Sequence, residues 1–286
     1  MVAVRNLVVV FAVLLIVPLC SHGRPDIKSV NASPDTLFAQ SAAESLTRDF
    51  SSPEISFLLL DAHSGQVLVS RWENSDRPIP LGSLAKPFAA LAYGEQHGFR
   101  YPAHFCEGTA TGCWRPDGHG DVDLTSAIAY SCNSYFRALT ADLNASDVSP
   151  TAAKFGLEIP DGDISGSELA GLSPRWQVSP LHMAHAYLEL AHQKDNPTVH
   201  QILNGMARSA RQGTGAEVDR ALAVPSALVK TGTAACTHER HAPGDGFTIA
   251  LVPEDDPRLL LMVRVHGVPG SQAARTAGQM LRRIGN

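Results

Sequence analysis

Gly82-Ser83-Leu84-Ala85-Lys86-Pro87-Phe88 lies where a strand-rich segment gives way to an apolar, alanine-rich run. If a helix begins at Ser83, the side chains of Ser83 and Lys86 lie at positions i and i+3 and share one face. A serine hydroxyl is a weak nucleophile at neutral pH and needs a base within hydrogen-bond reach. A lysine amine can be that base only where burial or a nearby positive charge lowers its pKa. The segment therefore indicates an activated serine, provided that the chain supplies a second cation.

The segments on either side predict a sheet. Five strands are predicted from apolar runs bounded by turn residues, at 55–61, 66–70, 227–235, 247–252 and 259–265. Helices are predicted at 35–49 and 272–284, and residues from about 102 to about 212 are predicted to be all-helical after a loop-like stretch at 101–120. This order predicts an α+β fold: a five-stranded antiparallel sheet flanked by N- and C-terminal helices, plus an all-helical lobe.

The N-terminus has the pattern of an export signal. Arg5 is the only charged side chain before an apolar run at residues 7–19, which is short for a membrane span. Residues 1–23 are therefore predicted to be a signal peptide, with an uncleaved anchor or lipidation at Cys20 as the alternatives. Residues 24–34 are predicted to be a linker, and residues 35–286 one folded domain. The expected location is the periplasm or the cell envelope.

The composition limits the class of protein. The chain has 286 residues, of which 44% are hydrophobic and 18% charged, and its net charge is -5. This is enough apolar material for one sizeable core, and the dispersed basic residues offer no nucleic-acid surface. Lysine is scarce, with only five in the chain, so the two that fall in the motifs below do not reflect a lysine-rich composition.

The cysteines indicate one local disulfide. Those that follow the predicted signal peptide are Cys106, Cys113, Cys132 and Cys236. Cys106 and Cys113 flank a short loop rich in glycine and threonine, and export permits disulfides, so a disulfide between them is predicted. The alternative is two small buried apolar side chains. No Cys-x-x-Cys pair is present, so no metal site is expected.

Three short motifs occur in order along the chain. They are Ser83-x-x-Lys86, Ser131-Cys132-Asn133 and Lys230-Thr231-Gly232-Thr233. Each alone is weak, because a helix cap, a helix–helix turn and an ordinary edge strand would explain them structurally. Their order makes the combination specific, since they fall at a predicted helix start, a loop of the lobe and a strand of the sheet.

With these motifs the chain resembles the penicillin-binding protein transpeptidase and serine β-lactamase superfamily, and most of all the transpeptidase domains of class B high-molecular-weight penicillin-binding proteins. Residues 118–124 and 178–187 resemble that family's lobe, so the resemblance covers about residues 55–284. It implies a transpeptidase-like domain at residues 35–286. It also implies an exported acyl-serine enzyme, a peptidoglycan D,D-transpeptidase or D,D-carboxypeptidase acting on D-Ala-D-Ala stem peptides. β-Lactams are implied as covalent inhibitors and cell-wall synthesis proteins as partners, without a cofactor.

The resemblance further implies catalytic roles. Ser83 attacks the substrate carbonyl, and Lys86 is the base that accepts its proton. Lys230 supplies the second cation, which lowers the pKa of Lys86 and titrates together with it. Ser131 relays a proton to the leaving amine.

Substrate-binding roles are implied for the residues around these. Asn133 holds the catalytic lysine and the substrate amide. Thr231 and Thr233 bind the substrate carboxylate, and Gly232 leaves room for the substrate against the strand. The backbone N–H groups of Ser83 and Thr233 form the oxyanion hole.

Two other functions stay open at this point. A serine β-lactamase needs a base for the deacylating water, and Glu158 and Glu189 are candidates by position only. A non-catalytic penicillin-binding sensor or scaffold would keep the fold without turnover.

A stripe of polar residues on one predicted helix also has two interpretations. Its members are His182, His185, Glu189 and His192. They indicate either a set of metal ligands or, more simply, a polar helix face.

Overall fold

A computed structural model describes residues 34–236 and 244–285. The predicted signal peptide at 1–23 and nearly all of the predicted linker at 24–34 lie outside the described residues, so that division of the chain stays a prediction. Within the described part, no helix is both long and apolar enough to cross a bilayer.

The described chain forms short strands and helices. The strands are β1 (Ile55–Asp61), β2 (Val67–Arg71), β3 (Ile79–Pro80), β4 (His104–Cys106), β5 (Gly120–Val122), β6 (Gln177–Val178), β7 (Leu228–Ala234), β8 (Asp245–Val252) and β9 (Leu259–His266). The α-helices are α1 (Pro34–Asp49), α2 (Lys86–Gln96), α3 (Leu124–Ala129), α4 (Asn133–Leu139), α5 (Ala145–Lys154), α6 (Gly166–Leu169), α7 (Pro180–His192), α8 (Pro197–Gln212), α9 (Ala216–Ala221) and α10 (Gly270–Gly285). Two 3₁₀ turns lie at Gly82–Ala85 and Gly108–Thr111.

One sheet organises the molecule. Its five strands lie in the order β2-β1-β9-β8-β7, and each neighbouring pair is antiparallel. The last strand of the chain therefore lies between the first strand and the two that follow the lobe, and β7 forms one edge. The predicted α+β fold class with five antiparallel strands is confirmed.

Strand β1 shows how both faces of the sheet are covered. Leu58 and Leu60 pack into the core on the side of the lobe, which also contains Phe88 of α2. Phe57 and Leu59 point the other way and pack with residues of the terminal helices α1 and α10. Because full burial of such a side chain contributes about 1.5–3 kcal/mol, this continuous apolar strand holds the two layers together.

The lobe is mainly helical, and it also contains a short antiparallel pair. β4 and β5 pair with each other, with Phe105 opposite Asp121. Strands of three residues in a glycine-rich loop are too short to show a two-residue apolar period, so the expectation of an all-helical lobe missed them. The pair brings Cys106 at the end of β4 opposite Gly120 at the start of β5.

Candidate active site

Ser83 lies in a tight turn that precedes a helix. Residues Gly82–Ala85 form a 3₁₀ turn, and α2 begins at Lys86, three residues later than the helix start considered from the sequence. In a 3₁₀ turn the side chains at i and i+3 eclipse each other, so Ser83 and Lys86 still share one face. The hydroxyl of Tyr187 on α7 donates to the carbonyl oxygen of Leu84 (2.9 Å) and anchors the turn.

Two glycines let strand β7 touch this turn. A Cβ atom on Gly82, whose φ is +57°, would lie 2.2 Å from the carbonyl oxygen of Thr233. A Cβ atom on Gly232 would lie 2.5 Å from the carbonyl oxygen of Leu81. Gly232 is therefore required by the packing of the strand against the turn, which is a different reason from the substrate clearance expected from the sequence.

The second motif forms a strained turn between α3 and α4. Ser131 has a φ of +51°, in the left-handed region that residues other than glycine rarely adopt. Such a conformation costs on the order of 1–3 kcal/mol and persists only where the surroundings hold it. Cys132 caps α4 through Sγ, which accepts from the N–H of Tyr135 (3.5 Å), and Asn133 is the first residue of that helix.

The amines of Lys86 and Lys230 meet at this turn. Lys86 Nζ donates to the carbonyl oxygen of Ser131 (2.8 Å), to Oδ1 of Asn133 (2.7 Å) and, at 3.4 Å, to Oγ of Ser131. Lys230 Nζ donates to Ser131 Oγ (3.0 Å) and to the carbonyl oxygen of Thr231 (2.7 Å). Both lysines are fully buried. The hydroxyl on which the two amines converge is thus that of Ser131.

Burial makes both amines weaker bases than a surface lysine. Desolvation lowers the pKa of Lys86 to about 7, from the usual 10.5. The pKa of Lys230 is lowered well below its usual value, by burial first and by the charge of Lys86 second. Because burial disfavours the ammonium form, the neutral form of Lys86 is accessible near neutral pH.

Ser83 lines a cavity of about 570 Å³ together with residues of all three motifs. The motif residues in its lining are Ser83, Ser131, Asn133, Thr231, Gly232 and Thr233. The buried amines of Lys86 and Lys230 reach this lining through Ser131. The fold therefore brings together three motifs that lie far apart in the sequence.

Several residues of the lining were not identified from the sequence, among them Trp114, Arg137 and Thr214. Thr214 Oγ1 lies 2.6 Å from Oγ1 of Thr231, within the third motif. The indole of Trp114 is half exposed, and its N–H donates to the carbonyl oxygen of Tyr130 (3.2 Å). None of the three belongs to a short motif, so only their position in the fold identifies them.

The two glutamates considered as deacylation bases lie away from this cavity. Glu158 lines a separate cavity that also contains Arg175. Glu189 is exposed on α7 and accepts a hydrogen bond from Gln193 (2.8 Å). Among the described residues that line the Ser83 cavity, none is a carboxylate.

The histidine stripe on α7 is a polar helix face. His185 Nε2 lies 3.0 Å from the carbonyl oxygen of Gly65, and His192 Nε2 lies 3.2 Å from that of Ala62. These two contacts join α7 to the turn between β1 and β2, while His182 is exposed to solvent.

The structure does not join Cys106 and Cys113 by the predicted disulfide. Their Sγ atoms lie 3.6 Å and 3.5 Å, respectively, from Nδ1 of His119. The two sulfurs therefore face a shared imidazole and not only each other. Proximity in the sequence alone did not indicate this arrangement.

A comparison with known proteins supplies the family. The family model of the penicillin-binding protein transpeptidase domain matches residues 55–285. No curated protein sequence matches this chain.

Solved structures share the fold at low identity. The penicillin-binding protein PBP2 of Pseudomonas aeruginosa, in complex with WCK 5153, aligns with a TM-score of 0.69 and 18% identity over 87% of this chain and 73% of that chain. The transpeptidase domain of the FtsI4 D,D-transpeptidase of Legionella pneumophila aligns with a TM-score of 0.62 and 17% identity, over 90% of this chain and 97% of that chain.

A third structure, PBP2 of Helicobacter pylori in its complex with MreC, has a TM-score of 0.70 and 17% identity. The alignment covers 86% of this chain but 62% of that one, which is less than two thirds of its length. At these identities the likeness shows the fold alone.

Proposed function

Because the chain belongs to the penicillin-binding protein transpeptidase domain family, we propose that it is an exported acyl-serine enzyme with Ser83 as its nucleophile. Its proposed reaction is D,D-transpeptidation or D,D-carboxypeptidation of peptidoglycan stem peptides that end in D-Ala-D-Ala. One observation carries the proposal: two fully buried amines, those of Lys86 and Lys230, hydrogen-bond one hydroxyl in the lining of the cavity that Ser83 shares. Burying two like charges costs free energy, and such pairs cluster at functional sites.

Lys86 is the proposed general base. A neutral amine has two N–H groups, and the two shortest hydrogen bonds of Lys86 go to the carbonyl oxygen of Ser131 (2.8 Å) and to Oδ1 of Asn133 (2.7 Å). The nitrogen lone pair is then left to accept the proton of Ser83, which lies three residues earlier on the same face. As that proton moves to Lys86, the oxygen of Ser83 bonds to the carbonyl carbon of the substrate.

Ser131 is the proposed proton relay to the leaving amine. Once Lys86 has taken the proton of Ser83, it has a third N–H group that can donate to Ser131 Oγ (3.4 Å) beside the hydrogen bond from Lys230 (3.0 Å), so the O–H of Ser131 is available to donate. When the tetrahedral intermediate collapses, the nitrogen of the departing D-alanine takes that proton, and Ser131 regains one from Lys86. Ser83 keeps the acyl group as an ester, which an amine or water then attacks.

The edge strand β7 is the proposed peptide-binding site. An edge strand leaves part of its backbone N–H and C=O groups unpaired, and an extended peptide can add to it as a further strand. Thr231 and Thr233 bind the terminal carboxylate of the substrate beside Lys230. The N–H groups of Ser83 and Thr233 stabilise the oxyanion, a contribution of about 3 kcal/mol per donor.

Labelling with a fluorescent penicillin tests the proposal. We expect the full chain to form a covalent adduct, and Ser83→Ala to lose labelling by at least about 100-fold, because no hydroxyl is left to attack. Ser149→Ala is the matched control and should label like the parent chain, since Ser149 is exposed on α5 and does not line this cavity. A folded parent chain that takes no label would overturn the enzyme proposal and leave the non-catalytic alternatives.

We also propose that the enzyme works in the cell envelope with cell-wall synthesis proteins. Support comes from the export pattern of residues 1–23 and from the shared fold of the Helicobacter pylori protein solved with MreC. Fractionation of cells that produce the full chain should find it in the envelope or the periplasm. Recovery in the cytoplasm would contradict this location.

A further inference from the structure

Four metal-binding side chains converge beside the second motif. One ligand atom from each lies within 4.8 Å of the others in a group that we call the cysteine cluster: Cys106, Cys113, His119 and Cys132. The three cysteines are buried and the histidine is half-buried. The fold, and not a short motif, assembles this group. The lack of a Cys-x-x-Cys pair in the sequence was therefore no guide to whether a metal site exists.

The distances within the cysteine cluster match the edges of a tetrahedron. Zn–S bonds of about 2.3 Å and Zn–N bonds of about 2.0–2.1 Å place two sulfurs about 3.8 Å apart, and a sulfur and a nitrogen about 3.6 Å apart. The Sγ atoms of Cys113 and Cys132 are 3.9 Å apart. His119 Nδ1 lies 3.6 Å from Cys106 Sγ and 3.5 Å from Cys113 Sγ. A single central ion requires separations of this size.

The thiolate is the form of cysteine that binds metal, and backbone amides lie beside two of the sulfurs. Burial raises the pKa of the Cys113 thiol, but the backbone N–H groups of Arg115 and Ser134 outweigh it and the pKa is lowered overall, whereas burial raises the pKa of the Cys132 thiol to about 12. The N–H of Tyr135 donates to Cys132 Sγ (3.5 Å). Hydrogen bonds to a charged group stabilise its charged form, so these amides offset part of the cost of burying sulfur anions.

The ring of His119 is held with one nitrogen toward the sulfurs. It stacks on Tyr130 with ring centroids 5.5 Å apart and planes at 14°, and it meets Trp114 edge-on at 5.5 Å. Its Nε2 is buried and has no hydrogen-bond partner within the described part of the chain. Because Nδ1 faces the sulfurs of Cys106 and Cys113, it is the nitrogen available to a metal shared with them.

We propose that the cysteine cluster binds one Zn²⁺ ion through three thiolates and Nδ1 of His119. Three sulfurs and one nitrogen fill all four tetrahedral positions, so the ion is structural and has no open position for a substrate. Binding releases the three thiol protons. Because Cys132 lies between Ser131 and Asn133, the ion ties the strained turn of the second motif to the β4–β5 pair.

Metal analysis of the full chain, purified under reducing conditions without a chelator, tests the site. We expect about one Zn²⁺ per parent chain and less than about a tenth of that in Cys113→Ala. Cys236→Ala is the matched control and should keep the full equivalent, because Cys236 lies outside the cysteine cluster, beside Asp245 and His266. Zinc that is kept in Cys113→Ala and lost in Cys236→Ala would assign the metal elsewhere and overturn the proposal.

Cobalt substitution provides a second readout if Cys113→Ala does not fold. We expect the parent chain, stripped of metal and refilled with Co²⁺, to show thiolate-to-cobalt charge transfer and intense visible bands of a tetrahedral site, both lost on adding Zn²⁺. A parent chain that carries no zinc and shows no such bands overturns the proposal. The proposal is also overturned if two cysteines of the cluster form a disulfide in the native chain. Such a disulfide is detected as a loss of two hydrogens in the intact mass.

Discussion

Lys86 gives the proposed reaction a dependence on pH. Its pKa is lowered to about 7 because desolvation disfavours the ammonium form. Only the neutral amine accepts a proton, so the rate of acylation should rise as the pH increases through about 7 and then level off. The second-order rate constant of penicillin acylation, measured against pH, tests this, with the melting temperature followed in parallel to separate titration from unfolding. A rate that stays flat or falls through this range would contradict the role of Lys86 as the base.

Ser131 and Ser83 differ in their suitability as nucleophiles. Ser131 is 7% exposed, and its Oγ accepts from both buried amines. Ser83 is less buried and lines the cavity from the 3₁₀ turn. The oxygen of Ser131 is therefore occupied by its partners, whereas that of Ser83 borders the space where a substrate carbonyl fits.

At the scale of elements, helix α7 holds the nucleophile turn through one buried hydrogen bond, from the hydroxyl of Tyr187 to the carbonyl oxygen of Leu84 (2.9 Å). Tyr187→Phe should lower the free energy of unfolding by about 1–3 kcal/mol, because a buried carbonyl loses its partner. It should also slow acylation, because the turn that carries Ser83 is less firmly held. Chemical denaturation and penicillin labelling measure the two effects.

Tyr135→Phe is the matched control for this prediction. The hydroxyl of Tyr135 is buried and has no hydrogen-bond partner among the described residues. Removing it should therefore leave stability unchanged or raise it. If both variants lost the same stability, the anchoring role of Tyr187 would be wrong.

The elements that the sequence predicts best are those whose local pattern is strong. The continuous apolar run of β1 and the amphipathic pattern of α10 identify them without knowledge of their neighbours. β4 and β5 escape prediction because each has only three residues, and their pairing depends on the loop between them. The start of α2 also differs from expectation, since close contact with β7 fixes a 3₁₀ turn before it.

At the scale of the whole molecule, the lining of the Ser83 cavity bears on the fate of the acyl ester. A β-lactamase needs a base that activates water against this ester, yet the described lining contains no carboxylate. We therefore expect the penicillin adduct to persist for minutes or longer after free ligand is removed, as measured by loss of label. Release within the dead time of manual mixing would instead indicate a β-lactamase.

The candidate site combines residues that the sequence reveals with others that only the fold reveals. The motif residues, such as Ser83 and Lys230, were predicted because each lies in a short motif whose residue types indicate a chemical role. Thr214 and His119 were not assigned a role, because their partners come from segments that approach only in the folded chain. The cysteine cluster is a further example. A local disulfide was the simpler interpretation of a short loop, and the side chains of the cluster meet only in the folded chain.

The position of the acyl group decides whether the nucleophile is Ser83 or the Ser131 hydroxyl that both amines contact. Mass spectrometry of the penicillin adduct after proteolysis locates the added mass on one peptide. The proposed mechanism predicts the whole adduct on the peptide that contains Ser83, and none in Ser83→Ala. An adduct on Ser131, whose Oγ both amines contact, would contradict it.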